Sequence, residues 1–160
     1  MAVDMFLELK DVKGESRDSV YKEKIDILAW SWGASNSGTS HSGGGSGAGK
    51  ANFQDISITK YVDSSSAPLL QFVTQGKHIE TGKLVVRKAG ENPLEYIVIE
   101  LGQILITSVQ TGGSGGEERL TENITLNFAD YKYIYTPQQA DGSGDTAVDW
   151  AWNIAENKKM

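Results

Sequence analysis

The stretch "EYIVIELGQILITSV", residues 95–109, decides the fold, because it is too long and too apolar to be a strand with one wet face. Apolar residues occupy both parities: Tyr96, Val98, Ile104 and Ile106 against Ile97, Ile99, Leu101, Leu105 and Val109. Side chains of a strand alternate between its two faces, so both faces must be covered. One domain core covers one face, and the other face needs a packed helix or a neighbouring subunit. We therefore predict a β domain that assembles with copies of itself.

The segments on either side also alternate as strands do, with one exception. "VDMFLEL" (residues 3–9), "NFQDISITKYV" (52–62) and "TAVDWAWNIA" (146–155) predict strands, and "EKIDILAWSWGAS" (23–35) shifts face after Ile27, which indicates a bulge or a strand covered on both sides. The exception is "DSSSAPLLQFVTQGK" (63–77), which predicts a helix with capping serines, Pro68 in its first turn and Gly76 as its stop. The expected fold is mainly β: a compact β-barrel or two-sheet domain with one short flanking α-helix, as a single domain over residues 1–160.

Composition excludes several classes of function. The chain has 160 residues, a net charge of −6 and a pI near 4.9, which argues against a nucleic-acid partner. It contains no cysteine, so disulfides, thiolate catalysis and cysteine-bound metals are ruled out. The start, "MAVDMFLELKDVKGE", has neither the pattern of a cleaved signal nor a membrane span. We expect synthesis in the cytoplasm, no membrane insertion and, if the protein leaves the cell, export by separate machinery.

A phosphate-loop pattern, G-x-x-x-x-G-K, runs from Gly44 to Lys50 inside "SGGGSGAGKANF". The nucleotide mechanism needs a Ser or Thr after the lysine, a strand before the loop and a helix after it. Ala51 stands at the hydroxyl position, and the segment after it has a strand pattern instead of a helical one. We interpret residues 34–50 as a Gly/Ser-rich extended loop between strands, long enough to serve a function of its own.

No residue cluster predicts catalysis, a metal site or a cofactor site. His41 and His78 are too few for a zinc site without cysteine, and no serine lies in a strand–turn–helix elbow. The protein is therefore not expected to be an enzyme, and no cofactor is expected.

Two W-x-W pairs, Trp30 with Trp32 and Trp150 with Trp152, each place both indoles on one strand face. Exposed indoles could stack a sugar, which leaves a carbohydrate- or ligand-binding β module as an alternative function. Buried indoles would be core or interface packing. We favour burial, because Val148 and Ile154 extend the second pair's face with apolar neighbours.

The order and spacing of several segments along nearly the whole chain give a more specific assignment. These are "IDILAWSWGASNSG", "FQDISITKYVDSSSAPLLQFVTQGKHI", "LVVRKAG", "ILITSVQTGGSGGEERLTENITLNFADYKYIYTPQQADGSG" and "WAWNIAENK". Together they resemble the Hcp (haemolysin-coregulated protein) family, the inner-tube proteins of the bacterial type VI secretion system. The resemblance implies a barrel-like domain related to phage tail tubes, without enzymatic activity. It also implies a hexameric ring, stacking of rings into a hollow tube, propulsion by a sheath, and small effectors carried in the lumen.

The resemblance also implies partners and site residues. The partners are further copies of the chain, the spike or tip protein, the sheath and small secreted effectors, and the tube is secreted by the type VI system. The long loop after W-S-W-G is expected to contact the neighbouring ring, and Ser31, opposite the indoles, is expected to face the lumen and its effectors. The ring-stacking loop residues are Ser35, Asn36, Ser37, Gly38, Thr39, Ser40, His41, Ser42, Gly43, Gly44, Gly45, Ser46, Gly47, Ala48 and Gly49. Its high glycine content predicts a large entropic cost of ordering and weak stacking of free rings.

Overall fold

A computed structural model of the chain describes residues 3–38 and 49–160. Eleven strands and one helix occur in these residues. In chain order they are β1 (Val3–Leu9), β2 (Ile25–Ser31), β3 (Ala34–Ser35), β4 (Asn52–Phe53), β5 (Ile56–Tyr61), α1 (Ser66–Gln75), β6 (Ile79–Lys88), β7 (Leu94–Thr111), β8 (Thr121–Asn127), β9 (Asp130–Tyr135), β10 (Val148–Asn153) and β11 (Lys158–Lys159). The mainly β fold with one short helix is confirmed.

Six antiparallel strands close into a barrel in the order β7, β6, β1, β2, β5, β8, with β8 pairing back to β7. Closure removes the sheet edges that an open sheet would expose. From β7 the sheet continues outward through β9 and β10 to β11, so these three strands form a flap beside the barrel. The short strands β3 and β4 pair only with each other, Ala34 opposite Phe53 and Ser35 opposite Asn52.

The long strand β7 serves both parts of the molecule because it bends in the middle. Its first half pairs with β9 as far as Gly102, and its second half pairs with β8 from Leu105 onward. Gln103 between them has a positive φ of 50°, which turns the strand from one partner to the other. The predicted shift of face in β2 is also confirmed, because its register with β5 slips between Ile27 and Ala29.

The barrel interior is filled by aliphatic side chains from every barrel strand, and two aromatic side chains, Phe128 and Tyr131, belong to the same buried cluster. Helix α1 packs against β7 and buries Leu69 completely. Gly76 ends the helix in the left-handed conformation, with φ of 63°, as the sequence predicted. The predicted serine cap is wrong: Ser65 makes no side-chain cap, and the Asp63 carboxylate accepts from the Ser65 backbone N–H at 2.8 Å. The main buried cluster comprises Leu7, Leu9, Val12, Ile25, Ile27, Ile56, Ile58, Leu69, Ile79, Leu84, Ile99, Leu101, Ile104, Ile106, Ile124, Leu126, Phe128 and Tyr131.

The outer face of β7 is covered from within the chain, which corrects part of the sequence argument. Val98 packs in a second cluster with Phe6, Val85 and Tyr21, and Tyr21 comes from the connection between β1 and β2. The helix also packs against β7, but its residues Leu69, Phe72 and Val73 join the main core cluster and not the cluster around Val98, so it is not the cover of this outer face. A neighbouring subunit is therefore not needed to explain the apolar residues around Val98, and a contact between copies must be sought elsewhere on the surface.

An ion pair holds that covering connection in place. Arg87 is buried on the outer face of the sheet. Its guanidinium donates two hydrogen bonds to the Asp18 carboxylate, at 2.6 and 3.1 Å, and lies 5.0 Å from the Phe6 ring centroid. The hydrogen bond from Arg87 lowers the pKa of Asp18 to about 2. The Tyr21 hydroxyl donates to Glu95, and burial is the main reason that the pKa of Tyr21 is raised. The covering segment is thus tied to β6 and β7 by charge as well as by packing.

In the part of the chain that the structure describes, the one helix is too short to cross a membrane.

Candidate functional site

Ser31 lies at the end of β2 on the outside of the barrel, with its side chain exposed. Trp30 and Trp32 on either side of it pack against the core, so the predicted alternation is confirmed. Ser31 sits opposite Ser57 of β5, and Ser57 sits opposite Thr125 of β8. A row of small hydroxyl side chains therefore runs across three neighbouring strands.

This row continues onto β7, and a neighbouring pair on β5 and β8 has the same character. Thr59 of β5 donates to Asn123 of β8 at 2.7 Å. Thr125 is 2.6 Å from both the Thr107 and the Ser108 hydroxyl oxygens on β7. We call this surface the hydroxyl face and define it as Ser31, Ser57, Thr59, Thr107, Ser108, Asn123 and Thr125. All seven side chains are short, polar and uncharged, and several of them are hydrogen-bonded to one another.

One acid borders the hydroxyl face and is held by its neighbours. Asp55 accepts from the Thr107 hydroxyl at 2.7 Å and from the Asn127 amide at 3.0 Å. Both carboxylate oxygens of Asp55 therefore accept hydrogen bonds from side chains of neighbouring strands. The face offers hydroxyl and amide groups for weak contacts and no ionic anchor among its seven members, which suits transient contact better than tight binding.

The two ends of the long loop are held together at its root by strand pairing and hydrogen bonds. The β3–β4 pair forms its stalk, so Ser35, predicted to belong to the loop, pairs with Asn52 instead. The Asn36 amide donates to the Gly49 carbonyl oxygen at 2.6 Å, which joins the two ends of the loop. The Trp32 indole donates to the Gln54 carbonyl oxygen at 2.9 Å and ties the stalk to the barrel. Ser37 and Gly38 are exposed beyond the stalk.

The rest of the predicted loop site, residues 39–48 with His41, lies outside the described residues. The phosphate-loop pattern can still be judged by its last residue and by the next element of the chain. Lys50 is exposed, and the next element is strand β4, not a helix. A helix N-terminus for phosphate binding is therefore missing at this position.

The two tryptophan pairs have different environments. Trp32 contacts Phe128 and Tyr131, with ring centroids 5.7 and 4.9 Å apart. Trp150 stacks on Trp152 at 5.9 Å yet remains 47% exposed. The prediction that the second pair is buried is therefore wrong for Trp150, and Val148 beside it is 65% exposed. Both belong to the flap, where the sheet extends past the barrel core.

Sequence reasoning missed a buried charge cluster beneath the start of α1. Lys60 is fully buried and pairs with Glu122, and its Nζ atom lies 3.1 Å from Asp63 Oδ1 and 2.9 Å from the Tyr61 carbonyl oxygen. Ser66 of α1 donates to Glu122 at 2.6 Å. The cluster ties the helix to β5 and β8. The alternation of the strands could have predicted the burial of this cluster, because Lys60 lies on the same face of β5 as Ile58 and Glu122 lies on the same face of β8 as Ile124.

Within residues 3–38 and 49–160, no group of three or more possible metal ligands comes together. His78 lies just after α1, on the surface. Neither observation supplies a catalytic or metal-binding arrangement. The surfaces that remain as candidates for contact with other molecules are the hydroxyl face, the loop root and the flap.

Comparison with known proteins gives consistent matches along the chain. A family described as "Type VI secretion system effector, Hcp" matches residues 6–135. Protein hcp1 of Pseudomonas aeruginosa is 57% identical over 159 residues, 98% of each chain. A solved structure of a type six secretion system protein shares 29% identity with a TM-score of 0.94, covering 99% of this chain and 100% of the other. Hcp1 from Salmonella typhimurium shares 28% identity with a TM-score of 0.80 and full coverage of both chains.

Proposed function

This chain belongs to the Hcp family of type VI secretion tube proteins, which are structural and not enzymatic, and we propose that it forms hexameric rings whose stacking builds the hollow inner tube. The family assignment made from the sequence is confirmed. The proposal extends it to this chain's own ring, to the role of residues 1–160 as a single tube domain, and to the surfaces that contact cargo and neighbouring rings.

The hydroxyl face carries the proposal for the lumen. Effectors of different chemistry must enter the tube, travel along it and leave it, so its wall should lack both ionic anchors and large apolar patches. The seven side chains of the hydroxyl face have this character, and all are exposed or partly exposed on the barrel wall. Ser31 lies near the end of β2, where a bulkier side chain would project above the hydroxyl rows and narrow the space for cargo.

The loop root supports the proposal for stacking. The stalk is hydrogen-bonded at Asn36 and anchored by Trp32, so both ends of the loop are held at one place beside the barrel. A loop with a fixed root can reach the next ring, whereas its glycine-rich sequence makes ordering costly and free stacking weak. The spike and sheath would then help to nucleate the tube, and effectors would occupy its lumen.

The proposed cellular route is based on the family. Hcp proteins are secreted by the type VI system. We place synthesis of this chain in the bacterial cytoplasm without a cleaved signal, and then delivery outside the cell or into a target cell through the same system. Nucleic acid and membrane insertion have no part in this route.

The deciding experiment shortens the loop between Ser35 and Gly49 in cells whose own copy is deleted. Exposed small-residue loops contribute few buried contacts, so rings should remain folded and soluble. Tube assembly and effector export should fail. Normal rings with normal export would refute the stacking role, and broken rings would place the loop in the contact between neighbours of one ring. Ser31→Gln, with the loop intact, should instead release a co-purifying effector without changing the size of the ring.

One observation favours the alternative of a carbohydrate-binding module. Trp150 is exposed and stacks on Trp152 beside a cavity of about 550 Å³ that Phe53 and Tyr131 also line. Sugars stack on such indoles. Titration with glycans while tryptophan fluorescence is monitored separates the two functions, because a tube protein should show no saturable change.

A further inference from the structure

Two consecutive residues of β7, Thr107 and Ser108, bring their hydroxyl groups to the same place on the hydroxyl face. Between Ile106 and Ser108 the register of β7 with β8 slips by one residue, so Thr107 is the extra residue of a β-bulge. Both hydroxyl oxygens therefore lie 2.6 Å from the Thr125 hydroxyl oxygen on β8. In a regular strand, consecutive side chains point to opposite faces. The bulge thus joins three hydroxyl groups into one chain of hydrogen bonds.

This chain of hydroxyl groups ends at a carboxylate. Asp55 Oδ2 accepts from the Thr107 hydroxyl at 2.7 Å, and Asp55 Oδ1 accepts from the Asn127 amide at 3.0 Å. Asp55 is partly buried and takes part in none of the ion pairs among the described residues. Both donors are neutral, so the site keeps the negative charge of the carboxylate. An ionised carboxylate has no hydrogen to give, and Thr107 is therefore the donor.

The carboxylate fixes the direction of each hydroxyl hydrogen in the chain. A hydroxyl group has one hydrogen, and Thr107 gives its hydrogen to Asp55. In the contact between Thr107 and Thr125, Thr107 must then accept and Thr125 must donate. Because Thr125 has used its hydrogen, it can only accept from Ser108. All three hydrogens point along the chain toward Asp55, and each oxygen keeps at least one lone pair for a further donor.

We call Thr107, Ser108 and Thr125 the acceptor patch. Thr107 is exposed and the other two side chains are partly exposed, so a molecule outside the barrel can reach them. The three hydroxyl groups have no hydrogen left for an incoming acceptor. Successive hydrogen bonds polarise one another, and a charged partner strengthens the bond that it takes part in. The acceptor patch is therefore suited to N–H donors and unsuited to carbonyl or carboxylate oxygens.

The rest of the hydroxyl face does not share this direction. Thr59 donates to the Asn123 carbonyl oxygen at 2.7 Å, so Asn123 keeps amide N–H groups that can meet an acceptor. Asn123 lies two residues before Thr125 on β8. The preference for donors is thus a property of the acceptor patch and its carboxylate.

We propose that Asp55 sets the cargo preference of the hydroxyl face: by orienting the acceptor patch, it selects surfaces that carry lysine ammonium or arginine guanidinium groups. This rests on the proposed function, in which the hydroxyl face lines the lumen, and it adds the chemical class of the cargo group that the wall binds. A cationic donor meets both the oriented lone pairs and the charge of Asp55. Because the wall is open to solvent, the contact stays weak enough for cargo to leave. Asp55 acts through Thr107 and is a positioning residue.

Two peptides of equal charge separate donor recognition from simple charge attraction. One is a lysine-bearing Gly/Ser peptide, and the other is the same peptide with trimethyllysine, which keeps the charge but has no N–H to donate. Wild-type protein should bind the lysine peptide about three- to tenfold more tightly. NMR spectra of protein labelled at threonine methyl groups measure both affinities and show whether the Thr107 and Thr125 signals shift. Equal affinities would overturn the proposal.

A matched pair of substitutions at Thr107 distinguishes orientation from the charge of Asp55. Valine has nearly the shape of threonine, and Thr107→Val breaks the chain of hydroxyl groups while Asp55 stays in place. The preference for the lysine peptide should disappear. Thr107→Ser keeps the hydroxyl group and should keep the preference. A Thr107→Val protein with the wild-type preference would show that Asp55 acts by charge alone, contrary to the proposal.

A second pair of substitutions removes one negative charge at two different places. Asp55→Asn should reduce the preference to less than about twofold, because a neutral amide can donate as well as accept and no longer dictates one direction. Glu91→Gln is the control, since Glu91 is exposed in the connection between β6 and β7. It should leave the preference unchanged. An Asp55→Asn protein with the full preference would overturn the proposal.

Neutron diffraction from a crystal of deuterated protein tests the direction of the hydrogens without any ligand. The hydroxyl deuterium atoms of Ser108, Thr125 and Thr107 should each lie on the side toward Asp55. The opposite direction in the bonds of Thr125 would overturn the proposal.

The proposal and the proposed function can fail separately, because the acceptor patch and Asp55 lie within one chain. Every variant is sized by analytical ultracentrifugation, and circular dichroism verifies its folding. A wild-type protein that sediments as a 17.4 kDa monomer would refute the ring, and a lysine preference in that monomer would still support the oriented patch. Rings without a lysine preference would overturn the proposal and leave the tube function standing.

Discussion

Trp30–Trp32 and Trp150–Trp152 are the same three-residue pattern on two strands, yet one pair is tied into the barrel and the other is partly open to solvent. Trp32 has aromatic neighbours and a hydrogen-bond acceptor on the loop root. Trp150 has Trp152 on one side and a lysine over its ring. The difference is one of position, because β2 is a strand of the closed barrel, whereas β10 belongs to the flap beside it.

The comparison extends to the regions around the two pairs. In the barrel, the buried Lys60 ammonium group finds two carboxylates and a carbonyl oxygen. Among the described residues, the flap leaves apolar side chains exposed and part of a strand edge unpaired. A region that satisfies itself contributes to folding, and a region that does not is suited to assembly.

The largest effect should come from removing the buried lysine of the closed region. Lys60→Ala leaves Glu122 and Asp63 buried without their cation, and it should lower the free energy of unfolding by about 3–5 kcal/mol. Urea unfolding at a fixed protein concentration measures the loss. Lys13→Ala is the control, because the Lys13 side chain is 81% exposed. Equal stabilities of the two variants would contradict the view that the barrel depends on this cluster.

The tryptophan pairs themselves give the next effect. Trp32→Ala opens a hole among Phe53, Phe128 and Tyr131, and it should lower the free energy of unfolding by about 3 kcal/mol. Trp150→Ala should cost less than about 1 kcal/mol in the separated subunit, since its indole is already half exposed. The comparison between closed and open regions fails if the two losses are alike.

A smaller effect should depend on pH at the covering segment of β7. The folded pKa of Asp18 is lowered to about 2, below the value of about 3.9 in an unfolded chain. Its stabilising contribution is therefore complete above the unfolded pKa and is lost as the pH falls toward 2. Asp18→Asn should cost about 1–2 kcal/mol at pH 7, and the difference from wild type should shrink between about pH 5 and pH 2.

The same substitution in an Arg87→Met background provides the control for that pH dependence. Without the guanidinium, the cost of Asp18→Asn should be small and nearly independent of pH. A pH-dependent cost that persists in the Arg87→Met background would assign it to the backbone N–H groups of Val20 and Tyr21, which also bond to Asp18.

At the loop root, between the two regions, we expect a substitution to have no effect on nucleotide binding. Lys50→Ala should leave nucleotide binding unchanged, because Ala51 and strand β4 come after the lysine where a phosphate loop needs a hydroxyl and a helix. Calorimetric titration with Mg-ATP should show no saturable heat with either protein. Saturable heat that is lost in Lys50→Ala would contradict this interpretation.

Much of the fold could be predicted because strand and helix periods are local. The bounds of β1 and β7 and the stop of α1 at Gly76 result from alternation and from glycine conformation. The burial of Lys60 and Glu122 was also within reach, since alternation places each of them on the same face of its strand as a buried isoleucine. The family could be assigned from the order and spacing of segments over nearly the whole chain.

Ser31 is the site residue for which the sequence was most informative. Alternation with two indoles predicted that its side chain would point away from them, and the structure agrees. Its hydroxyl neighbours Ser57 and Thr125 could not be identified in advance, because they come from strands whose register is set only when the barrel closes.

The sequence by itself determined which residues alternate, where the helix stops and which family the chain belongs to, because these depend on neighbours along the chain or on the order of segments. The tertiary structure alone decided what covers each face. Tyr21 reaches Val98 across 77 positions of sequence, and Arg87 reaches Asp18 across 69. Trp150 is exposed because β10 lies past the end of the barrel. Periodicity assigns a side chain to a face, whereas the closure of the sheet decides whether that face is buried.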